Sequence, residues 1–192
     1  MEDSFIFVDA GFLSKLNNYL GGGKYIKYDL IKFCNLLCKK QNLNCKKIFY
    51  YTTPPFQSEK PTEDEIKRRE NYDNFIKKIS KDERLIVREG RCQRLKSQMG
   101  FEYNQKAVDP LMIIDMMSVP IKNKDMKKII LIACDSDLVP VIKELENSNI
   151  KSILYTYYQK SRDENFSTSN HLIKTVWKYL IITKQDFDNC PL

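Results

Sequence analysis

Apolar positions along this chain fall into two patterns, short unbroken runs and stretches with helical spacing. Residues 129–134, Ile-Ile-Leu-Ile-Ala-Cys, form the purest run, and Leu138, Val141, Ile142 and Leu145 follow at helical intervals. An aliphatic, β-branched run feeding a helix marks a strand buried on both faces of a parallel sheet. The pattern recurs at residues 4–9, where Ala10 and Gly11 turn the chain into a helix carrying Phe12, Leu16, Tyr19 and Leu20. Asp29 is placed to cap a helix with Leu30, Phe33, Cys34 and Leu37 on one face, and residues 46–51 read as the next strand. Thr62 and Glu65 have capping-box spacing ahead of a helix bearing Tyr72, Phe75, Ile76 and Ile79; residues 84–88 supply another strand. Residues 107–117 carry apolar groups nearly all the way round a helix, which predicts deep burial. Residues 150–157 and 177–182 complete the strands, the latter at an edge, separated by a polar loop over 158–168 and a short helix over 169–174. This alternation predicts an α/β fold, a central, mostly parallel sheet flanked by helices, in a single domain with a core at about 4–188.

Composition narrows the classes of function. At 192 residues and 42% hydrophobic content, one substantial core can be buried but not two. No run of about 18 apolar residues is present. The start, Met1-Glu2-Asp3-Ser4, is acidic where a signal peptide is basic, so a cytoplasmic protein with no membrane partner is expected. Cys34, Cys38, Cys45, Cys92, Cys134 and Cys190 lack paired zinc-site spacing and read mostly as reduced core residues. The single histidine, His171, is far from any nucleophile motif, which argues against Cys-His and Ser-His mechanisms. Gly21-Gly22-Gly23-Lys24 lacks phosphate-loop spacing and reads as a flexible connection. The formal net charge of +7 favours polyanionic partners without distinguishing RNA from DNA.

Against this basic background, aspartates gather at predicted strand ends. Asp9 closes one strand, Asp135 and Asp137 follow another, and Asp109 lies in the first turn of the 107–117 helix. Carboxylates alone, without His or Cys, suit hard cations such as Mg²⁺ or Mn²⁺. Such ions can lower the pKa of a water and stabilise charge developing on a phosphodiester. Asp115, about 9 Å along the helix axis from Asp109, suits a supporting role behind these ligands, as does Ser136. Arg88, Arg91, Arg94, Lys96 and Lys106, interleaved with Phe101 and Tyr103, suit a strand or hairpin beside a nucleic-acid backbone, or equally an ordinary exposed hairpin. Arg91, Arg94 and Lys106 are the candidate substrate-binding residues.

Residues 5–11, Lys106-Ala107-Val108-Asp109 with Leu111 and Asp115, and residues 131–142 around Asp135-Ser136-Asp137-Leu138-Val139-Pro140 resemble the three motif blocks of the NYN domain family. This is the LabA-like group of PIN-like nucleases. The resemblance spans about residues 4–188. It implies a PIN-like Rossmannoid fold and a Mg²⁺- or Mn²⁺-dependent ribonuclease with Asp9, Asp109, Asp135 and Asp137 as its acidic site. Two departures stand out: Phe12 where many members carry Asn, and Lys-Ala-Val-Asp where the family pattern reads Lys-Gly-Val-Asp. The expected partner is RNA, with DNA not excluded. A homodimer is an open expectation that no residue pattern establishes.

Other readings compete. The same fold could hold RNA without cutting it, the loss of a polar group at Phe12 being the reason to keep this alternative. A glycosyltransferase would use Asp-Ser-Asp for metal and sugar nucleotide, but the chain is short and the further acids argue against it. The acids could also be simple helix caps, which would explain each singly but not their gathering on one edge.

Overall fold

The structure, a computed structural model, describes residues 1–97, 100–158 and 170–192. The chain begins with β1 (Glu2–Asp9), α1 (Ala10–Leu20), α2 (Leu30–Lys40), β2 (Leu43–Thr52), α3 (Glu63–Ile79) and β3 (Leu85–Glu89). It continues through β4 (Arg91–Ser97), β5 (Gly100–Lys106), α4 (Val108–Lys122), β6 (Lys128–Ile132) and a 3₁₀ turn (Ser136–Leu138). The last elements are α5 (Val139–Asn147), β7 (Lys151–Thr156), α6 (Asn170–Thr175), β8 (Lys178–Ile181) and α7 (Lys184–Asp188). The expected polar loop at 158–168 falls, apart from Tyr158, outside the described residues.

Six strands form one sheet in the order β3-β2-β1-β6-β7-β8, with every pairing parallel. The chain moves outward from β1 through β2 to β3, then crosses back to β6 on the other side of β1. Strand order therefore reverses between β1 and β6, where Val8 pairs with Ile132. At such a switch point the connections leave toward opposite faces and a crevice opens at the carboxyl ends of the strands. Asp9 ends β1, and Asp135 stands three residues beyond β6.

Alternation along the central strands divides the core. Ile6, Val8, Ile130 and Ile132 pack on the side of α1, α2 and α7, whereas Phe5, Phe7, Ile129 and Leu131 pack on the side of α4, α5 and α6. Phe7 stacks on Phe49 at 4.9 Å, and Tyr51 extends the row. Each such buried side chain contributes about 1.5–3 kcal/mol, so tertiary burial pins the strands and, with them, the acids at their ends. Local signals agree: Thr62 and Glu65 form the reciprocal capping box, and Asp29 accepts the Lys32 N–H at 2.9 Å. All six cysteines are free thiols, four of them buried. Among the described residues no helix is long and apolar enough to cross a membrane.

One element differs from expectation. Helix α4 buries Val108, Met112, Asp115, Met116 and Val119 but leaves Ile114 62% and Ile121 72% exposed. It packs against the sheet, α5 and the 3₁₀ turn, and among the described residues nothing covers Ile114 and Ile121 on its outer side.

Strands β4 and β5 form a separate antiparallel ribbon. It rises from Gly90, where a Cβ would lie 2.4 Å from the Lys106 carbonyl oxygen. That spacing lets the two ends of the ribbon close against each other.

Candidate active site

Asp9 and Asp135 each have a local backbone role. Asp9 caps α1, its Oδ1 accepting the Phe12 N–H at 3.1 Å, and Asp135 accepts the Asp137 N–H at 2.9 Å at the 3₁₀ turn. Capping hydrogen bonds favour the charged carboxylate. Nevertheless the Asp9 carboxyl is pushed up to about 6, first by burial and then by the charges of Asp109 and Asp135, against the hydrogen bonds from Phe12 and Gly11. Asp109 is raised by burial and by the charges of Asp135 and Asp137. Burial and the same acids, Asp9 and Asp135, push the intervening Cys134 thiol up to about 11. Asp9 and Asp109 thus feel the charges of their acidic neighbours at the switch point.

Asp109 owes its place to α4. The helix starts at Ala107, whose φ of 69° and ψ of 6° are left-handed. This region favours glycine and costs another L-residue about 1–2 kcal/mol, which gives the family's Lys-Gly-Val-Asp pattern a conformational basis. Six residues along the helix, buried Asp115 receives Nε and Nη2 of Arg88 and the Tyr51 hydroxyl, at 2.8, 2.5 and 3.0 Å. Burial and the Asp115 charge raise the Tyr51 pKa. Asp115 therefore ties α4 to β2 and β3. Phe12 sends its side chain into the core and offers only its backbone N–H to Asp9.

The ribbon separates the predicted substrate-binding residues. Cross-strand partners share a face and faces alternate along a strand. Cys92–Gln105, Arg94–Tyr103 and Lys96–Phe101 lie on one face, and Arg91–Lys106 on the other. The Arg94 guanidinium sits 4.6 Å from the Phe56 ring and 4.5 Å from the Phe101 ring. Arg91, Arg94 and Lys106 are all exposed.

Two neighbours were not placed at the site by the sequence. A Cβ added at Gly11 would lie 3.2 Å from both Asp9 Oδ1 and Gln105 Oε1, so glycine lets the Gln105 amide come close to Asp9. His171 lines a depression of about 720 Å³ together with Ser136 and Asp137, on the far side of the 3₁₀ turn.

Asp9, Asp109, Asp135 and Asp137 fit a hard cation in two respects. They offer only oxygen donors, and the burial and mutual repulsion that raise Asp9 and Asp109 are what a bound positive charge relieves. Among the described residues no three such side chains stand close enough to enclose an ion as they are.

Residues 5–182 match the NYN domain family. The chain belongs to it. NYN domains are a PIN-like nuclease family. The fold is also that of a crystal structure from Vibrio parahaemolyticus described as a protein of unknown function. The two agree with a TM-score of 0.59 over 97% of this chain and 95% of that one, at 16% sequence identity. No curated protein matches the chain. Within this NYN domain the three resemblance blocks occupy β1 with the start of α1, the start of α4, and β6 with the turn into α5.

Proposed function

We propose that this NYN domain is a Mg²⁺- or Mn²⁺-dependent endoribonuclease acting at the carboxyl ends of β1 and β6. The observation that carries the reading is that the switch point between β1 and β6 brings Asp9 and Asp135 to one edge, where burial and the charges of Asp109 and Asp135 raise the Asp9 carboxyl. Burying like charges together costs stability, and a cation-dependent site gives that arrangement a use. Asp9, Asp109 and Asp135 would hold the ion, with exposed Asp137 at the rim. When bound, it would lower the pKa of a water and offset charge on the phosphodiester oxygens. Asp137 would orient that water, Gln105 would donate its amide to a substrate oxygen, and Asp115 would position the ligands through α4. Arg94 would contact a phosphate from one face of the ribbon, and Lys106 and Arg91 from the other.

A second reading, an RNA-binding module without cleavage, draws on the buried Phe12 side chain, which gives the site no polar group. Labelled single-stranded and structured RNAs incubated with Mn²⁺, Mg²⁺ or EDTA distinguish the two. Metal-dependent cutting by native protein, lost in Asp135→Asn, supports the nuclease. Tight binding without cutting under every condition favours the binding module.

A further inference from the structure

A cleft of about 950 Å³ opens between α1, the start of α2 and α3. Tyr25, Tyr50, Tyr72 and Phe75 give it aromatic faces, and Lys27 and Lys78 give it positive charge. Tyr50 and Phe75 meet at 6.0 Å, Tyr50 buried and Phe75 38% exposed. The amides of Asn18 and Asn71 add paired donors and acceptors. Flat π-faces, amide edges and cations together suit a nucleobase carrying a phosphate, and the volume falls within the about 300–1,000 Å³ of ligand pockets.

Its position specifies the ligand further. Gly11 and Gln105 line the cleft, and the site where a Gly11 Cβ would stand is 3.2 Å from Asp9 Oδ1. Cleft and acidic edge share a wall. A strand whose base is seated among the tyrosines would therefore pass close to the aspartates. A base inside a duplex can enter only by leaving the stack, at a cost of about a few kcal/mol. An unpaired strand avoids most of that cost.

We propose that this cleft holds the unstacked base of the nucleotide next to the scissile phosphate and thereby selects single-stranded RNA. The inference rests on the reading of the acidic edge as a ribonuclease site. Nucleotide selection then comes from the cleft between α1 and α3, whose wall also includes Gln105 of the ribbon.

The test uses the full chain with Asp135→Asn, in which strands stay intact, in buffer containing Mn²⁺. Three probes are titrated: a single-stranded oligoribonucleotide with one 2-aminopurine, the same strand annealed to its complement, and AMP. Single strand is expected to bind at least about 10-fold tighter than duplex, with 2-aminopurine emission quenched by stacking. Adding Tyr25→Ala and Phe75→Ala should weaken single-strand binding about 10-fold, the effect of losing one base–aromatic stack, and leave duplex binding unchanged. Both side chains are partly exposed, at 53% and 38%. If the double substitution lowers the melting temperature, Tyr25→Ala alone carries the same comparison. Unchanged single-strand affinity in these variants would overturn the cleft assignment while leaving the nuclease reading intact. AMP binding that depends on Tyr25 and Phe75, with strand binding that does not, would overturn it in favour of a free nucleotide. Native protein that neither binds nor cuts any RNA would overturn both.

Discussion

Replacing Asp9 with Asn keeps a helix cap, since Asn and Asp cap about equally well, and removes a buried charge. In the folded protein the Asp9 carboxyl stands at about 6 against an ordinary value of 3.8. At about 1.36 kcal/mol per pKa unit that displacement corresponds to about 3 kcal/mol, reduced to about 2 kcal/mol by partial exposure of the carboxyl. The sign follows from which state binds the proton. Between pH 4 and 6 the folded protein holds a proton on Asp9 that the unfolded chain has released. The contribution is therefore full below about pH 4 and lost as pH rises through about 6. At pH 7 in EDTA, Asp9→Asn should be more stable than native by about 2 kcal/mol, and at pH 4.5 that advantage should shrink to about 0.7 kcal/mol. Urea unfolding at both pH values, with unchanged m, measures the difference. Mn²⁺ should then reverse the order by stabilising native protein in proportion to RT ln(1 + [Mn²⁺]/Kd). Equal or lower stability of Asp9→Asn at pH 7 without metal would show Asp9 to be a cap and nothing more, refuting the electrostatic reasoning.

Other substitutions test the supports of the site. Ala107→Gly relieves a left-handed residue at a cost in unfolded-chain entropy, for a net gain of about 0.5–1 kcal/mol; a loss in urea unfolding would contradict the strain. Arg88→Met leaves buried Asp115, among the described residues, with the Tyr51 hydroxyl and no cation, and should cost about 2–4 kcal/mol in thermal or urea unfolding. A cost below about 0.5 kcal/mol would mean that Asp115 does not anchor α4. Arg94→Ala should lower the salt dependence of single-strand RNA binding by about 0.7 in the slope of log K against log salt, one phosphate contact. An unchanged slope would remove Arg94 from the RNA path.

The strands could be read from sequence because sheet centres bury both faces, leaving unbroken runs such as 129–134, and the acids because they terminate those runs. Asp9 and Asp135 become neighbours through strand order, which no local pattern states. Gln105 escaped notice because it approaches Asp9 from a ribbon outside the sheet, and the place of His171 beside the 3₁₀ turn because α6 returns there after a long separation in sequence. Basic residues counted together at 91, 94 and 106 divide between two faces once cross-strand register is fixed. Helical periodicity reports which residues are apolar, not which side of α4 has a neighbour; Ile114 and Ile121 are the result. The left-handed φ of Ala107 is likewise a property of the turn between β5 and α4, visible in sequence only as a missing glycine.

The most direct measurement is an anomalous difference map from crystals of the native protein equilibrated with Mn²⁺. A peak is expected at the carboxyl ends of β1 and β6, bounded by the carboxylates of Asp9, Asp109 and Asp135 and absent from Asp135→Asn crystals. At saturating Mn²⁺, no peak there, or a peak unaffected by the substitution, would contradict the assignment of these aspartates as a metal-binding site.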